Sequence, residues 1–359
     1  MRKIIAIKHP IIDTYPNLAS VLAVVSENTE KYLPWLYNKF VQVQIDKHPD
    51  SGLMMDYCMP NVWTSCPWIN YENISREIVD GGFKSIIDFF ITIIDNNKVG
   101  YFLIDMYYIP LYQKDEQEKI HMFHPVLLFG YDTDEKLFHI ADNFSISNGR
   151  YSFQTCTFDE LELAFYNTSR ADDVVWTSEN SVGSKVDWLQ GIKLLSFNRL
   201  YDHGFHRFTH EYEWEFDLEL FGFLMEDFIY SRDSAKRFTN PGIIYSKHYF
   251  GLDCLNFMME RIAKWESDRW LDLRGFSCIN SYQENMSRRI AYMLEMKYLS
   301  NAELLAFSEQ LKNRSSVLIS QGIKYNLTKS GKLLEQIKTD FSDMIKDMAM
   351  LSINILKDL

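Results

Sequence analysis

The sequence is short of the features that would place it quickly. Its five cysteines (Cys58, Cys66, Cys156, Cys254, Cys278) are odd in number and scattered, with no C-x-x-C pair. That pattern excludes a disulfide framework and a zinc finger or ribbon. No apolar stretch approaches the roughly 20 residues needed to span a bilayer. The N-terminal run "IIAI" is cut short by Lys8 and His9, too early for a signal peptide. Positive charge is also scarce: 37 Lys and Arg stand against 49 Asp and Glu, for a net charge of −12. No basic stripe offsets this field, so neither nucleic acid nor an anionic membrane is expected as a partner. A cationic small molecule fits it better. Repeats and low-complexity tracts are missing too. A reduced, cytoplasmic location is therefore expected.

What remains is an ordinary globular composition with many aromatics, 25 Phe and 21 Tyr among 359 residues. That length suits two or three domains with substantial cores. The first 200 or so residues mix strand and helix patterns, and the rest reads almost entirely as helix. "YPNLASVLAVVSENTEKYL" has helical spacing at Leu18, Val21, Leu22 and Val25, with Pro16 suited to the first turn. "NISREIVDGGFKSIIDFFITIIDNN" repeats that spacing, broken at Gly81-Gly82 and stopped at Asn96-Asn97, and "VGYFLIDMYYIPL" reads as a strand. "RYSFQTCTFDELELAF" is expected as a strand running into a helix capped by Thr157 with Glu160. "TSENSVGSKVD" (177–187) reads as a loop, and several long amphipathic helices follow from about Tyr212.

The chemically suggestive stretch is "HMFHPVLLFGYD" (121–132) with "HIADN" after it. A turn at Tyr131–Glu135 would pair the two strands antiparallel and permit contact between His124 and Asp142. A base on one strand and a carboxylate on the next, fixing its tautomer, is the arrangement that supports nucleophilic or general-base catalysis. Core packing of the histidine and turn chemistry at Asp142-Asn143 account for the same residues without any catalysis.

"YFLIDMYYIPLYQKDEQEKIHMFHPVLLFGYDTDEKLFHIADN" (101–143) resembles the N-terminal domain family of the butirosin-biosynthesis acyltransferases. That family is itself similar to the papain-like peptidases that process bacteriocin leaders. The features that carry the resemblance are Asp105, Tyr107-Tyr108, His124, Gly130-Tyr131-Asp132 and Asp142. It implies an α+β chain: a papain-like core over 1–205, with an antiparallel sheet and an N-terminal helix, then an all-helical region over 206–359. It also implies acyl transfer in peptide or polyketide metabolism. The donor would be an acyl or aminoacyl thioester on an acyl or peptidyl carrier protein, and the acceptor a small amine. Neither metal nor cofactor is expected. The helical region would serve as a lid, a docking surface for the carrier protein, or a homodimer interface.

The related peptidases place an Asp-Cys-Gly-Pro-Ala run at the start of the first helix. "DTYPNLASVLA" (13–23) resembles it with Asp13 and Pro16 in place, but Thr14 stands where the cysteine is expected. No Gln occupies the oxyanion position near Lys8 or His9. A threonine hydroxyl is far less acidic than a thiol, so Thr14 is open as slow nucleophile, helix cap or vestige. Direct transfer with His124 as the base is a further route, with Thr14 only orienting the acyl group. Catalytic candidates are thus His124, Asp142 and Thr14. Substrate contacts are expected from Asp13, Asp105, Tyr107, Tyr108 and Cys58, the last in the Pro- and Trp-rich "YCMPNVWTSCPW". A non-catalytic binding protein and a peptidase or amidase are the other readings.

Overall fold

The computed structural model describes residues 1–48, 52–59, 61–113, 121–147, 149–168, 191–198, 200–202, 207–211, 213–237, 248–265 and 269–359. The expected loop at 177–187 lies outside them. The chain separates into two compact units, Met1–Glu30 with Val62–Tyr212, and Lys31–Asn61 with Glu213–Leu359. The later crossing falls near the expected boundary at 205. The excursion of Lys31–Asn61 into the helical unit does not show in the sequence pattern, because it depends on partners about 200 residues away.

The first unit is built on an antiparallel sheet ordered Ile69–Ser75, Gly191–Phe197, Val99–Asp105, Phe123–Asp132, Leu137–Phe144, Arg150–Thr157. The short strand Arg2–Ile4 pairs with the far end of Phe123–Asp132. That pairing brings backbone so close that a Cβ on Gly130 would lie 2.9 Å from the Lys3 carbonyl oxygen. The hairpin continues through Asp132 before turning, one or two residues later than the sequence suggested, with Lys136 in the left-handed region at φ 54°.

Each face of the sheet carries its own helices. Ile86–Asp95 starts at Ser85, whose hydroxyl accepts the Asp88 N–H at 3.1 Å. Its apolar residues Ile86, Phe89, Phe90, Ile93 and Ile94 recur at helical spacing and are all buried. Each contributes about 1.5–3 kcal/mol of burial. They pack with Phe102, Ile104, Val126, Leu128, Ile140 and Phe144 of the sheet and with Leu161 and Phe165 of the helix Phe158–Tyr166. Thr157 and Glu160 cap that last helix reciprocally, as its sequence indicated. The alternate strand residues point to the other face. There the helix Pro16–Asn28 meets the sheet, with Ser20 Oγ 3.1 Å from the Tyr151 hydroxyl.

The second unit is mainly helical: Leu33–Lys39, Leu218–Ile229, Gly251–Ala263, Arg274–Glu295, Glu303–Thr328 and Gly331–Asp358. The last three adjoin one another in sequence and pack in succession. The unit departs from an all-helical reading in one respect. His248–Phe250 pairs with Val43–Asp46, which in turn pairs with Met55–Tyr57. Strands of three or four residues are too short for their period to be read from sequence. None of the described helices is long and apolar enough to cross a membrane.

A candidate acid–base site at one end of the sheet

His124 stands near the start of its strand, opposite Ile104, and Asp142 lies between Ile140 and Phe144 on the neighbouring strand. Alternation puts both side chains on the face that carries Ile86–Asp95. The sheet register then brings them together, with His124 Nδ1 2.6 Å from Asp142 Oδ2. The Pro125 carbonyl oxygen is 3.1 Å from the same nitrogen. Both neighbours of Nδ1 are acceptors, so in the neutral ring Nδ1 carries the proton and Nε2 the basic lone pair. The two contacts leave Nε2 outward: the His124 side chain is 26% exposed, whereas Asp142 is fully buried.

A third member is absent from the pattern read in the sequence. The Tyr112 hydroxyl donates to the same Asp142 Oδ2, and its ring lies 5.6 Å from the imidazole. Tyr112 closes a 3₁₀ turn opened by Pro110 and is buried in the core. Nothing in its local sequence marks it, because only the folded path of the turn carries it under the two strands. Burial and the adjacent Asp142 charge push the Tyr112 phenol well above its ordinary pKa, so it remains a donor. Asp142 Oδ1 is buried without a hydrogen-bond partner, which leaves the carboxylate charge directed at His124 and Tyr112. Burial lowers the imidazolium pKa of His124. Asp142, its hydrogen bond and the Pro125 carbonyl outweigh that effect, and the net shift is upward.

The remaining candidates are distributed differently. Asp105 ends its strand, accepts the Tyr107 N–H at 3.1 Å, and lies 2.7 Å from His121 Nδ1. The Asp105 side chain is 2% exposed and that of His121 is 55% exposed. Tyr107 stacks on the His121 ring at 4.1 Å with 12° between planes, and Tyr108 meets its edge. Asp105, Tyr107 and Tyr108 are thus occupied with a second histidine, His121, and strand alternation places Asp105 on the face opposite His124.

Thr14 lies one residue before the helix cap position, which belongs to Tyr15, with Pro16 in the first turn. The Tyr15 side chain makes no capping hydrogen bond, and Pro16, which has no N–H, leaves the first turn one fewer donor to satisfy instead. The chain entering this helix meets the sheet at Asn143, whose amide donates to the Asp13 carbonyl at 3.0 Å. The helix itself packs on the face opposite His124 and Asp142. The Asp13 carboxylate lies 3.8 Å from His9 Nε2. Cys58 belongs to the other unit and is buried there, with its N–H on the Gln42 carbonyl. All five cysteines are free and buried. Burial pushes the thiols of Cys58 and Cys66 up to about 12, and those of Cys156, Cys254 and Cys278 well above the ordinary range. None is a ready thiolate at neutral pH. Among the described residues, no three His, Cys, Asp or Glu side chains are grouped to hold a metal ion.

No protein-family model matches the chain, and no curated protein matches it.

Proposed function

We propose that this protein is an acyltransferase of specialised metabolism that uses His124 as a general base. It would move an acyl or aminoacyl group from a carrier-protein thioester to a small amine, in the cytoplasm. The observation that carries this reading is the His124–Asp142–Tyr112 chain, with a buried carboxylate fixing Nδ1–H and an outward Nε2 lone pair. The resemblance of residues 101–143 to the butirosin-type acyltransferases supports the donor and acceptor classes. The acidic chain favours a cationic acceptor.

The burial of every thiol, and a secondary alcohol at the expected nucleophile position, favour direct transfer over a covalent enzyme intermediate. The acceptor amine attacks the thioester carbonyl carbon as its nitrogen gives a proton to His124 Nε2. The carbon–sulfur bond then breaks, and the departing thiolate recovers that proton from the imidazolium. Asp142 holds the ring orientation and stabilises its positive charge, which a positioned base of this kind converts into about 10²–10⁴-fold in rate.

The test is amide formation from an aminoacyl N-acetylcysteamine thioester and a primary amine such as an aminoglycoside, followed by mass spectrometry. Wild type should exceed the uncatalysed rate, and His124→Gln should lose about 10²–10⁴-fold of that excess. Equal rates for the two proteins would remove His124 from the chemistry. The threonine in the expected nucleophile place favours a second reading, a papain-like protein retained to bind a peptide or scaffold partner. That reading predicts no amide product, yet a rise in melting temperature with the acyl-carrier substrate through mass action.

A further inference from the structure

The helical unit buries a cation with no carboxylate to match it. Arg289 is fully buried near the end of the helix Arg274–Glu295. Its Nε donates to the Tyr37 carbonyl at 2.8 Å, and its Nη2 to the Phe40 carbonyl at 2.7 Å. Its Nη1 has only the Met286 sulfur, at 3.4 Å, a weak acceptor. A guanidinium carries five N–H groups, so these three contacts leave two unused. Burial lowers its pKa to about 10, which still leaves it charged at neutral pH.

Among the described residues no carboxylate pairs with it. The groups that face it electrostatically are the phenols of Tyr282, Tyr57 and Tyr37. Tyr282, Asn285, Met286 and Arg289 share one helix face, at i, i+3, i+4 and i+7. Opposite them, the Tyr57 ring lies 6.4 Å from that of Tyr282 and 5.2 Å from that of Phe40. Asn285 Nδ2 donates to the Phe40 carbonyl that Arg289 also uses. Arg289 and Tyr282 therefore share one helix face, and the Tyr57 ring stands across from that of Tyr282. The hydroxyls of Tyr57 and Tyr282 are both buried without any hydrogen-bond partner. Burial holds both phenols protonated, so each has an O–H to give.

Two carbonyl dipoles at the end of the helix Leu33–Lys39 account for Arg289 as a cap. They, with the Phe221 ring 5.5 Å from the guanidinium, leave that charge without an anion and two phenolic donors idle. An uncompensated buried charge is costly, and so is each unpaired buried hydroxyl. One acceptor of negative charge would relieve all three. Two further orphans on the same helix, Gln283 Oε1 and Asn285 Oδ1, are themselves acceptors and would not bind it.

We propose that Arg289 and the hydroxyls of Tyr57 and Tyr282 bind a buried monovalent anion, either a halide or a short carboxylate. Arg289→Met would also strip the Tyr37 and Phe40 carbonyls and could unfold the unit, so the test rests on a gentler change. Tyr57→Phe/Tyr282→Phe removes two donors and keeps the packing. The full-length wild type and this double variant are melted in rising sodium chloride, sodium bromide and sodium acetate. The expected result is a saturable rise of about 2–4 °C for wild type that the double variant lacks. A response to chloride and bromide alone assigns a halide, to acetate alone a carboxylate, and to all three a site open to both. Identical curves for the two proteins, including no response in either, overturn the proposal. Bromide anomalous diffraction from wild-type crystals adds a direct check: a peak beside Arg289 supports the site, and its absence at saturating bromide excludes the halide.

Discussion

Asp142 in the sheet unit and Asp227 in the helical unit are both buried carboxylates, and their surroundings differ in one decisive way. Asp227 is closed on all sides: Arg237 grips it through Nε at 2.5 Å and Nη2 at 2.8 Å, and Ser234 donates at 3.0 Å. Arginine does not lose its proton at any physiological pH, so that pair has one state. Asp142 gives one oxygen to both Tyr112 and His124 and leaves the other without a partner. Its main partner is an imidazole that can gain and lose a proton and has a second nitrogen facing outward. A carboxylate that is fully satisfied by a permanent cation fixes structure; one that holds a titrating ring in place can move protons.

That contrast can be broken by parallel substitutions. Asp142→Asn presents the wrong hydrogen-bonding group to Nδ1 and should cost about 10²–10⁴-fold in amide formation, with a smaller loss of stability. Asp227→Ala should do the reverse. It strands the Arg237 charge and should cost about 3 kcal/mol or more in urea unfolding, with activity per folded molecule unchanged. If both variants lose stability and neither loses rate, Asp142 is structural like its counterpart.

Tyr112→Phe sharpens the comparison from within the site. Removing a buried hydrogen bond to a charged group should cost about 1.5–3 kcal/mol. Asp142 Oδ2 would then act on the imidazolium alone, so the His124 pKa, followed by ring-proton NMR, should rise further. An unchanged His124 pKa would show that Tyr112 only fills space.

The direction of the His124 shift also sets opposite pH slopes for stability and rate. Its pKa is raised in the folded state, so the pair's stabilisation is fully present below the ordinary imidazole value of about 6.5. It is lost as pH rises through the higher folded value. The basic Nε2 appears over that same interval, so the rate should climb while this part of the stability falls. Melting curves and initial rates between pH 5 and 9, in wild type and His124→Gln, separate the two trends; a wild-type rate flat across the range would disconnect His124 from turnover. The smallest effect is expected at Thr14. Thr14→Val should change amide formation less than about 10-fold, since an orienting contact and not a nucleophile is lost. A collapse in rate would restore Thr14 as a covalent centre.

Much of the fold was legible because its signals are local. Pro16 opens its helix, Gly81-Gly82 and Asn96-Asn97 end theirs, and Thr157 and Glu160 form a cap within four residues. The His124–Asp142 contact was legible for a related reason: one hairpin joins the two residues, so a short turn and alternation suffice to pair them. Tyr112 was not legible, since it reaches Asp142 through an irregular turn without periodicity. The pairing of His121 with Asp105 was missed although both residues were visible, because the contact depends on how the chain enters the strand.

By itself, then, the sequence determined the helices, the antiparallel hairpin and the meeting of one imidazole with one carboxylate, all governed by neighbours close along the chain. Tertiary structure alone decided that Lys31–Asn61 joins the helical unit, that the helix Pro16–Asn28 and His124 take opposite faces of the sheet, and that Arg289 is buried beside unpartnered phenols. Those outcomes rest on register and packing between distant segments, where the free energy of burying a side chain depends on partners its own neighbours do not specify.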